Sequence, residues 1–566
     1  MKAKAGQLVA ETLKQLGATC VFGMEDPIEV FHALDRTAIR IITVRDEKHA
    51  AIMAHGYAQT TGKPGVCAST FGPGATNLIT GLLEAQRSSV PIIALVQDHA
   101  LSVKGRNASS ELDHVAALSP YVKAVLRIDE PGQAPGLIRR AFRLATTGRP
   151  GPVAVLCPAD VMAAIGEADA SGDPRYARFP ALRTRPAAAD IASAAELFAS
   201  ARRPLIVAGG GSVISGAFVE IQALAERFSA PVATTMTGKG AIRESHPLAV
   251  GVLGTSTGGL YGRGKIPNDL LAEADVVLIA GSRTGQICYN NWTTPRPDAK
   301  IIHIDIDPEE IDRNFVTNVA LPGDVRETLR ELLAACEHQG LARQGAGNGG
   351  QLAARKEAWL AEIAPVAQSD QMPMRPERVT AEINRLIAAN TLIVTDASYS
   401  TGWAMNQMEA PQAGRFMLSP RGTASIGWGL PAAIGAKLAD PSRDVICVTG
   451  DGGFGYVINE LETAARYRVD LVVVVYNNGT LGFQRHWEEK MLGSYLECDF
   501  LDIDYSEVAK ALKASGERVR DPRQLAAAIA RGRAYPGPYV IDATIDPEAT
   551  APIVGFDRPI AAGASH

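Results

Sequence analysis

The 566-residue chain has no Cys-x-x-Cys pair: its seven cysteines, Cys20, Cys67, Cys157, Cys288, Cys336, Cys447 and Cys498, stand apart and are odd in number. Zinc sites and disulfide frameworks need clustered or paired cysteines, so these read as reduced thiols packed as small apolar groups. Blocks of like charge are also missing, and 56 basic against 61 acidic residues leave a formal charge of -5. The electrostatic footprint that nucleic-acid binding requires is therefore absent. Long hydrophobic runs are absent too. The longest, such as Leu471 to Val475, are strand-length, whereas a bilayer span takes about 20 residues. The N-terminus, Met-Lys-Ala-Lys-Ala-Gly-Gln, has neither a signal-peptide core nor an Arg/Ser-rich transit composition. The expectation is a cytoplasmic protein with no nucleic-acid or membrane partner, binding small molecules and further copies of itself.

What is present is the material of several globular domains. At roughly 150 residues per domain the length predicts three or four, and 46% hydrophobic with 21% charged residues is too apolar for a disordered chain. Short apolar runs alternate with amphipathic stretches, the pattern of α/β units around parallel sheets. Three such blocks separate, at 1–165, 186–336 and 376–550. The first carries a helix around Leu8 to Leu16 and apolar runs from Val21-Phe22 to Val153–Leu156. An aperiodic linker follows, from about Gly166 to Pro186. The second has runs at Leu205–Ala208, Val276–Ala280 and Ile301–Ile306, with the turn Gly209-Gly210-Gly211-Ser212 after the first. From Glu337 to about Gln351 the composition turns to Gly, Gln and Ala, a loose connection. The third block has runs at Leu392–Thr395, Val445–Thr449, Leu471–Tyr476 and Tyr539–Ile545, in a rhythm like that of the first.

The most informative segment is Val445-Ile-Cys-Val-Thr-Gly-Asp-Gly-Gly-Phe, followed by a helix at about Asn459 to Tyr467 and the strand Leu471–Tyr476 ending in Asn477-Asn478. It places an acid at the end of one strand and an amide at the end of the next. Ligands bind at strand carboxyl ends in parallel sheets, and Gly450, Gly452 and Gly453 let backbone approach a ligand closely. Asp451, Asn478 and a loop carbonyl near Thr480 offer hard oxygens that suit Mg²⁺, which takes six at about 2.1 Å and completes its shell with phosphate and water.

This arrangement resembles the thiamine-diphosphate motif, and the chain resembles the thiamine-diphosphate-dependent enzymes of the acetolactate synthase type, with their relatives the oxalyl-CoA decarboxylases and 2-hydroxyacyl-CoA lyases. Independent segments agree in order. Arg45-Asp46-Glu47, Ala58 to Cys67 and Gly72-Pro-Gly-Ala-Thr-Asn77 are similar to the pyrimidine-binding segment, and Gly148 to Val153 to the end of that domain. His303-Ile-Asp-Ile-Asp-Pro308 is similar to the central domain, and Gly427 to Gly435 to the approach to the diphosphate.

The resemblance implies thiamine diphosphate and Mg²⁺ as cofactors, three parallel-sheet domains (pyrimidine-binding, central nucleotide-binding-like and diphosphate-binding), and roles for particular residues. Glu47 is the carboxylate that hydrogen-bonds the aminopyrimidine. Ile426 is the apolar side chain that bends the cofactor. Ser398, Tyr399 and Gly422 fall at diphosphate-contacting positions with Gly450, Asp451, Gly452 and Gly453, while Asp451, Asn478 and Thr480 hold the metal. With the carboxylate in the first domain and the metal ligands in the third, the site pairs two subunits, in a homodimer or homotetramer. Arg283 and Asp305 match nucleotide-contacting positions, implying FAD or ADP in the central domain. The rest of the flavin segment is replaced by Thr284-Gly-Gln-Ile-Cys-Tyr-Asn-Asn-Trp292, which leaves an empty pocket open as well.

The substrate signals are mixed. Leu481 to Trp487 resembles the acetolactate synthase segment whose tryptophan lines the acceptor pocket, so Trp487 and Ser110 are the expected substrate contacts. The acceptor-binding arginine of those enzymes falls on Ile287, which cannot pair with a carboxylate, and their Phe-Gln pair falls on Ser109-Ser110. Glu111 to Lys123 resembles oxalyl-CoA decarboxylases instead. The mouth segment Phe22-Gly-Met-Glu-Asp-Pro27 brings Glu25 and Asp26 near the expected cofactor, and one basic residue, Arg558, in Ala551–His566 offers little grip on CoA phosphates. The leading expectation is an acetolactate-synthase-like lyase or carboligase acting on a 2-oxo acid. The alternatives are cleavage of a 2-hydroxyacyl- or oxalyl-CoA thioester and, in a different class, a non-catalytic cofactor-binding regulator.

Overall fold

The computed structural model describes residues 1–342 and 349–556; Arg558 and positions 343–348 of the loose connection lie outside the described residues. Each apolar run is a strand buried on both faces, as at Ile92–Asp98, Asp444–Gly450 and Leu471–Asn477. Strands of this kind need helices on either side, and the chain assembles three parallel six-stranded sheets flanked by helices.

In the first sheet the strands stand in the order Arg40–Thr43, Cys20–Gly23, Gly65–Ser69, Ile92–Asp98, Val153–Pro158, Ala124–Arg127. Numbered along the chain, that is 2-1-3-4-6-5. The third sheet runs Met417–Leu418, Thr391–Thr395, Asp444–Gly450, Leu471–Asn477, Pro538–Thr544, Ser515–Val519, which is again 2-1-3-4-6-5. The middle sheet differs: Ala249–Val252, Val232–Thr234, Pro204–Ala208, Val276–Ala280, Lys300–Asp305, Val319–Pro322, the order 3-2-1-4-5-6 of dinucleotide-binding folds. Ligands of open parallel sheets settle where the winding reverses. Those switch points lie between Cys20–Gly23 and Gly65–Ser69, between Pro204–Ala208 and Val276–Ala280, and between Thr391–Thr395 and Asp444–Gly450.

The first and third domains share one apolar core. Its centre is the crossing of helix Glu47–Thr61, buried all round from His49 to Ala58, with helix Gly429–Ala439. A Cβ on Gly56 would lie 2.2 Å from the Ala432 carbonyl oxygen, and one on Gly435 2.0 Å from that of Met53. Glycine at both positions lets the two backbones touch.

Several elements escape a reading by apolar runs. Ala124–Arg127 and Ser515–Val519 are edge strands, the latter carrying Glu517 and Arg518, so neither forms a continuous run. The region read as an aperiodic linker begins inside strand Ile165–Glu167, which pairs antiparallel with Lys2–Lys4. After the loose connection, Gly349–Ala367 is helical and sets Leu352, Trp359 and Ile363 against the central sheet residues Leu205, Val277 and Ile301.

Candidate active site

Glu47 opens its helix because Asp46 caps it, accepting a hydrogen bond from the Lys48 N–H at 2.8 Å. The Asn77 amide donates to Glu47 Oε2 at 3.0 Å, and Glu47 Oε1 lies 3.0 Å from where a Gly74 Cβ would stand. The carboxylate is thus oriented by the Gly72–Asn77 turn at the first switch point, and it remains partly open.

Beside the third switch point, where strands Asp444–Gly450 and Leu471–Asn477 end next to each other, three oxygens converge. The Asn478 amide oxygen lies 2.9 Å from the Thr480 carbonyl oxygen and 3.2 Å from Asp451 Oδ1. Turning the amide over would make both contacts hydrogen bonds; in the orientation found, the three oxygens would need a shared cation between them. Octahedral ligands about 2.1 Å from Mg²⁺ stand about 3.0 Å apart along an edge, which matches the observed spacing. Asp451 is fixed by N–H groups of Gly452 (2.9 Å) and Gly479 (2.8 Å), and burial raises its carboxyl to about 6 against these bonds. The glycines divide the work. A Cβ on Gly450 would meet nothing, leaving it open to a ligand, whereas on Gly452 or Gly453 it would strike Leu481 or Asp396 at 2.9 Å.

Asp396 was not singled out from the sequence, yet it organises this end of the sheet. Fully buried, it accepts from the N–H groups of Ala397 (2.7 Å), Gly427 (3.0 Å) and Trp428 (3.3 Å) and from the Thr449 hydroxyl (3.1 Å). It therefore ties together Ser398, the glycines after Asp451, and the segment carrying Ile426. Burial raises its carboxyl above the usual range. An acid directly after an apolar strand was the available signal. Ser398 adopts φ 72° at the start of helix Tyr399–Gln407. The Tyr399 hydroxyl donates to His486 Nδ1 at 3.1 Å, since His486 Nε2 faces the Pro547 carbonyl at 2.9 Å. What Tyr399 offers a phosphate is its backbone N–H in the first helical turn.

A second unforeseen acid is Glu84 of the first domain. It is fully buried and accepts from the N–H groups of Gly422 (2.6 Å) and Thr423 (2.8 Å) and from the Thr423 hydroxyl (2.7 Å). Burial opposes its ionisation, but His55 and these donors hold its carboxyl below the usual range. Gly422 is thereby clamped by its own chain, and Ile426, four residues on, stands 45% exposed.

The central switch point opens into a cavity of about 580 Å³ between all three domains. Its acids Glu310 and Asp324 are paired with Arg149 and Arg183. Arg87, Arg283, Arg415 and Arg421 also line it, and among the described residues none hydrogen-bonds or ion-pairs with their guanidinium groups. Burial lowers Arg283 and Arg415 to about 10 and raises Asp305 to about 6. Ile287 lines this cavity too. Arg415 and Arg421 come from a segment with no recognisable motif, and only the fold brings them here. The Gly209 turn serves packing: a Cβ on Gly209 would lie 2.1 Å from the Gly281 carbonyl oxygen.

Beside the Gly72 turn, Ser110 (φ 60°) sets its carbonyl oxygen 2.7 Å from a Gly72 Cβ position. The turn is held by His114, whose Nδ1 faces Asp98 at 3.0 Å and whose Nε2 accepts from the Gly72 N–H at 2.9 Å. Glu25 (φ 31°) and Asp26 follow strand Cys20–Gly23 at the same switch point. Trp487 stacks on Phe483 (6.4 Å, 10°) and meets Phe556 edge-on.

Profiles of the thiamine pyrophosphate enzyme N-terminal TPP binding domain, central domain and C-terminal TPP binding domain match residues 3–117, 191–332 and 396–543. The chain is 34% identical to a probable acetolactate synthase large subunit of Methanocaldococcus jannaschii, covering 97% of this chain and 93% of that protein. It is 33% identical to an acetolactate synthase of Arthrospira platensis, covering 94% and 93%. A probable 2-ketoarginine decarboxylase of Pseudomonas aeruginosa is 34% identical, covering 92% and 90%. Among the described residues no helix is long and apolar enough to cross a membrane.

Proposed function

We propose, from the premise that this chain belongs to the thiamine pyrophosphate enzyme family, that it is an acetolactate-synthase-like carboligase. It removes CO₂ from a 2-oxo acid such as pyruvate and joins the remaining fragment to an acceptor carbonyl. The observation that carries this reading is full-length likeness to acetolactate synthases with Glu47, Asp451, Asn478 and Thr480 all in place.

Bound thiamine diphosphate supplies a nucleophilic carbon and a sink for the electron pair that decarboxylation releases. Glu47, oriented by Asn77, holds a proton at the pyrimidine ring. Asp451, Asn478 and the Thr480 carbonyl would hold Mg²⁺, whose charge would neutralise phosphate and favour an ionised Asp451 despite its burial. Ser398, the Tyr399 N–H and Gly450 would receive phosphate oxygens, with Gly422 and the apolar Ile426 beside the rest of the cofactor. The half-exposed Ile426 and the open Glu47 support a homodimer or homotetramer in which one copy's first domain completes its partner's third. The dinucleotide-type strand order and the four unpaired arginines support FAD or ADP in the central cavity.

A second reading, decarboxylation of a cationic 2-oxo acid, is favoured by Ile287 in place of the acceptor-binding arginine and by Glu25 and Asp26 at the first switch point. The relative described as a probable 2-ketoarginine decarboxylase points the same way. The test offers pyruvate and 5-guanidino-2-oxopentanoate separately to protein supplied with thiamine diphosphate, Mg²⁺ and FAD. CO₂ and acetolactate rising together from pyruvate support the carboligase. CO₂ from the guanidino acid alone supports the second reading, and no CO₂ from either refutes both.

A further inference from the structure

We infer that Trp292 is the platform on which the aromatic ring of a nucleotide diphosphate stacks at the rim of the interdomain cavity; the inference rests on the nucleotide reading above. Trp292 lines the cavity and is 47% exposed, whereas Trp359, Trp403 and Trp428 are at most 8% exposed. Leaving a large indole in water forgoes burial that those three obtain. The backbone beneath it is also in an unfavourable state. Asn290, Asn291 and Trp292 have φ of 49°, 57° and 58°, three consecutive left-handed residues. Asparagine tolerates that region, but a bulky aromatic there is an outlier that persists only when its surroundings impose it.

Its surroundings do impose it. The indole Nε1–H donates to the Thr284 carbonyl oxygen at 2.9 Å. The Asn314 amide donates to the same carbonyl at 3.1 Å and to the Thr284 hydroxyl at 2.8 Å. The single polar atom of the ring is thereby satisfied and its orientation fixed, which leaves a flat face to offer. The same cavity is lined by Arg283, Arg415 and Arg421, whose guanidinium groups no described residue pairs. A rigid aromatic face and unpaired cations around one cavity fit a ligand that joins an aromatic heterocycle to a diphosphate. Adenine and flavin rings share that chemistry.

The experiment uses the full chain with its thiamine site saturated by thiamine diphosphate and Mg²⁺. FAD, ADP, FMN and inorganic pyrophosphate are titrated while heat and tryptophan emission are followed. Base-on-aromatic stacking makes Trp292→Leu bind ADP or FAD about 10-fold more weakly or worse, while Trp292→Phe stays within roughly threefold of the native protein. Pyrophosphate, having no ring, binds all three proteins alike. Both variants lose the indole hydrogen bond, so the difference between them reads the ring itself. Weakened ADP binding in Trp292→Leu assigns adenine to Trp292; weakened FAD and FMN binding with ADP unchanged assigns the flavin ring. Trp292→Leu binding FAD and ADP with native affinity overturns the platform and leaves the nucleotide reading standing. A native protein that binds neither ends that reading and the platform with it.

Discussion

Asp305 should be an acid that the folded chain would be more stable without. Burial raises its carboxyl from 3.8 to about 6, against the Asp307 N–H that donates to it at 3.0 Å. A group whose folded pKa lies above its unfolded one is bound more tightly by protons in the folded state, so its ionisation lowers stability as pH rises through this window. Linkage puts the deficit at roughly 3 kcal/mol at pH 7 and about half that at pH 5. His303, two residues earlier on the same strand, works in the opposite sense. Burial lowers its ring from 6.5 to about 4, so its contribution falls by roughly 2 kcal/mol between pH 7 and pH 5. In the native chain the two nearly cancel. Asp305→Asn removes one of them: the nucleotide-free variant should exceed the native protein in stability by roughly 3 kcal/mol at pH 7, shrinking toward pH 5, and should bind nucleotide differently. Calorimetric unfolding at pH 5, 6 and 7 measures this as the difference between variant and native protein. A variant no more stable than the native protein at pH 7, or a difference that grows toward pH 5, refutes the reasoning.

Glu84→Gln must turn an amide N–H toward the Gly422 or Thr423 N–H, and should cost about 2–4 kcal/mol of stability, measured by urea unfolding. Glu47→Gln should lower turnover by about 100-fold or more while thiamine diphosphate still binds, which steady-state rates and calorimetric titration separate. Asp451→Asn should weaken Mg²⁺ binding by at least about 10-fold, read from Mg²⁺ titrations in the presence of thiamine diphosphate. If copies pair as proposed, mixing inactive Glu47→Ala and Asp451→Ala proteins under subunit exchange should restore roughly a quarter of native activity. No recovery despite exchange refutes the shared site.

Local signals single out Asp451 and Asn478, an acid after an apolar strand with glycines beside it and an amide at the end of the next strand, whereas the Gly72 turn is singled out by the resemblance alone. Central strands were legible because both faces are buried. Edge strands such as Ala124–Arg127 were not, since one exposed side admits polar residues. Glu84 escaped because its function is to bind backbone N–H groups of distant segments, and a lone acid in a sequence does not announce its partners; Asp396 does the same at the end of an apolar strand, but without the flanking glycines that mark Asp451. Arg415 and Arg421 escaped for the same reason: cations become a site only when folding brings them round one space. Tyr399 shows the converse, a position expected from register whose side chain turns to His486 and leaves only its N–H for a ligand.

The repeated 2-1-3-4-6-5 winding gives the crossing of helices Glu47–Thr61 and Gly429–Ala439 another meaning. Gly56 stands nine residues before the third strand of its sheet, and so does Gly435; Met53 and Ala432 each stand twelve before. Gly56 meets Ala432 while Gly435 meets Met53. Equivalent positions thus exchange contacts reciprocally, as across the isologous interface of a symmetric dimer. The chain carries such an interface within itself, the mark of tandem copies of one ancestral domain, in which one copy came to hold the carboxylate at a helix start and the other the oxygens at a strand end.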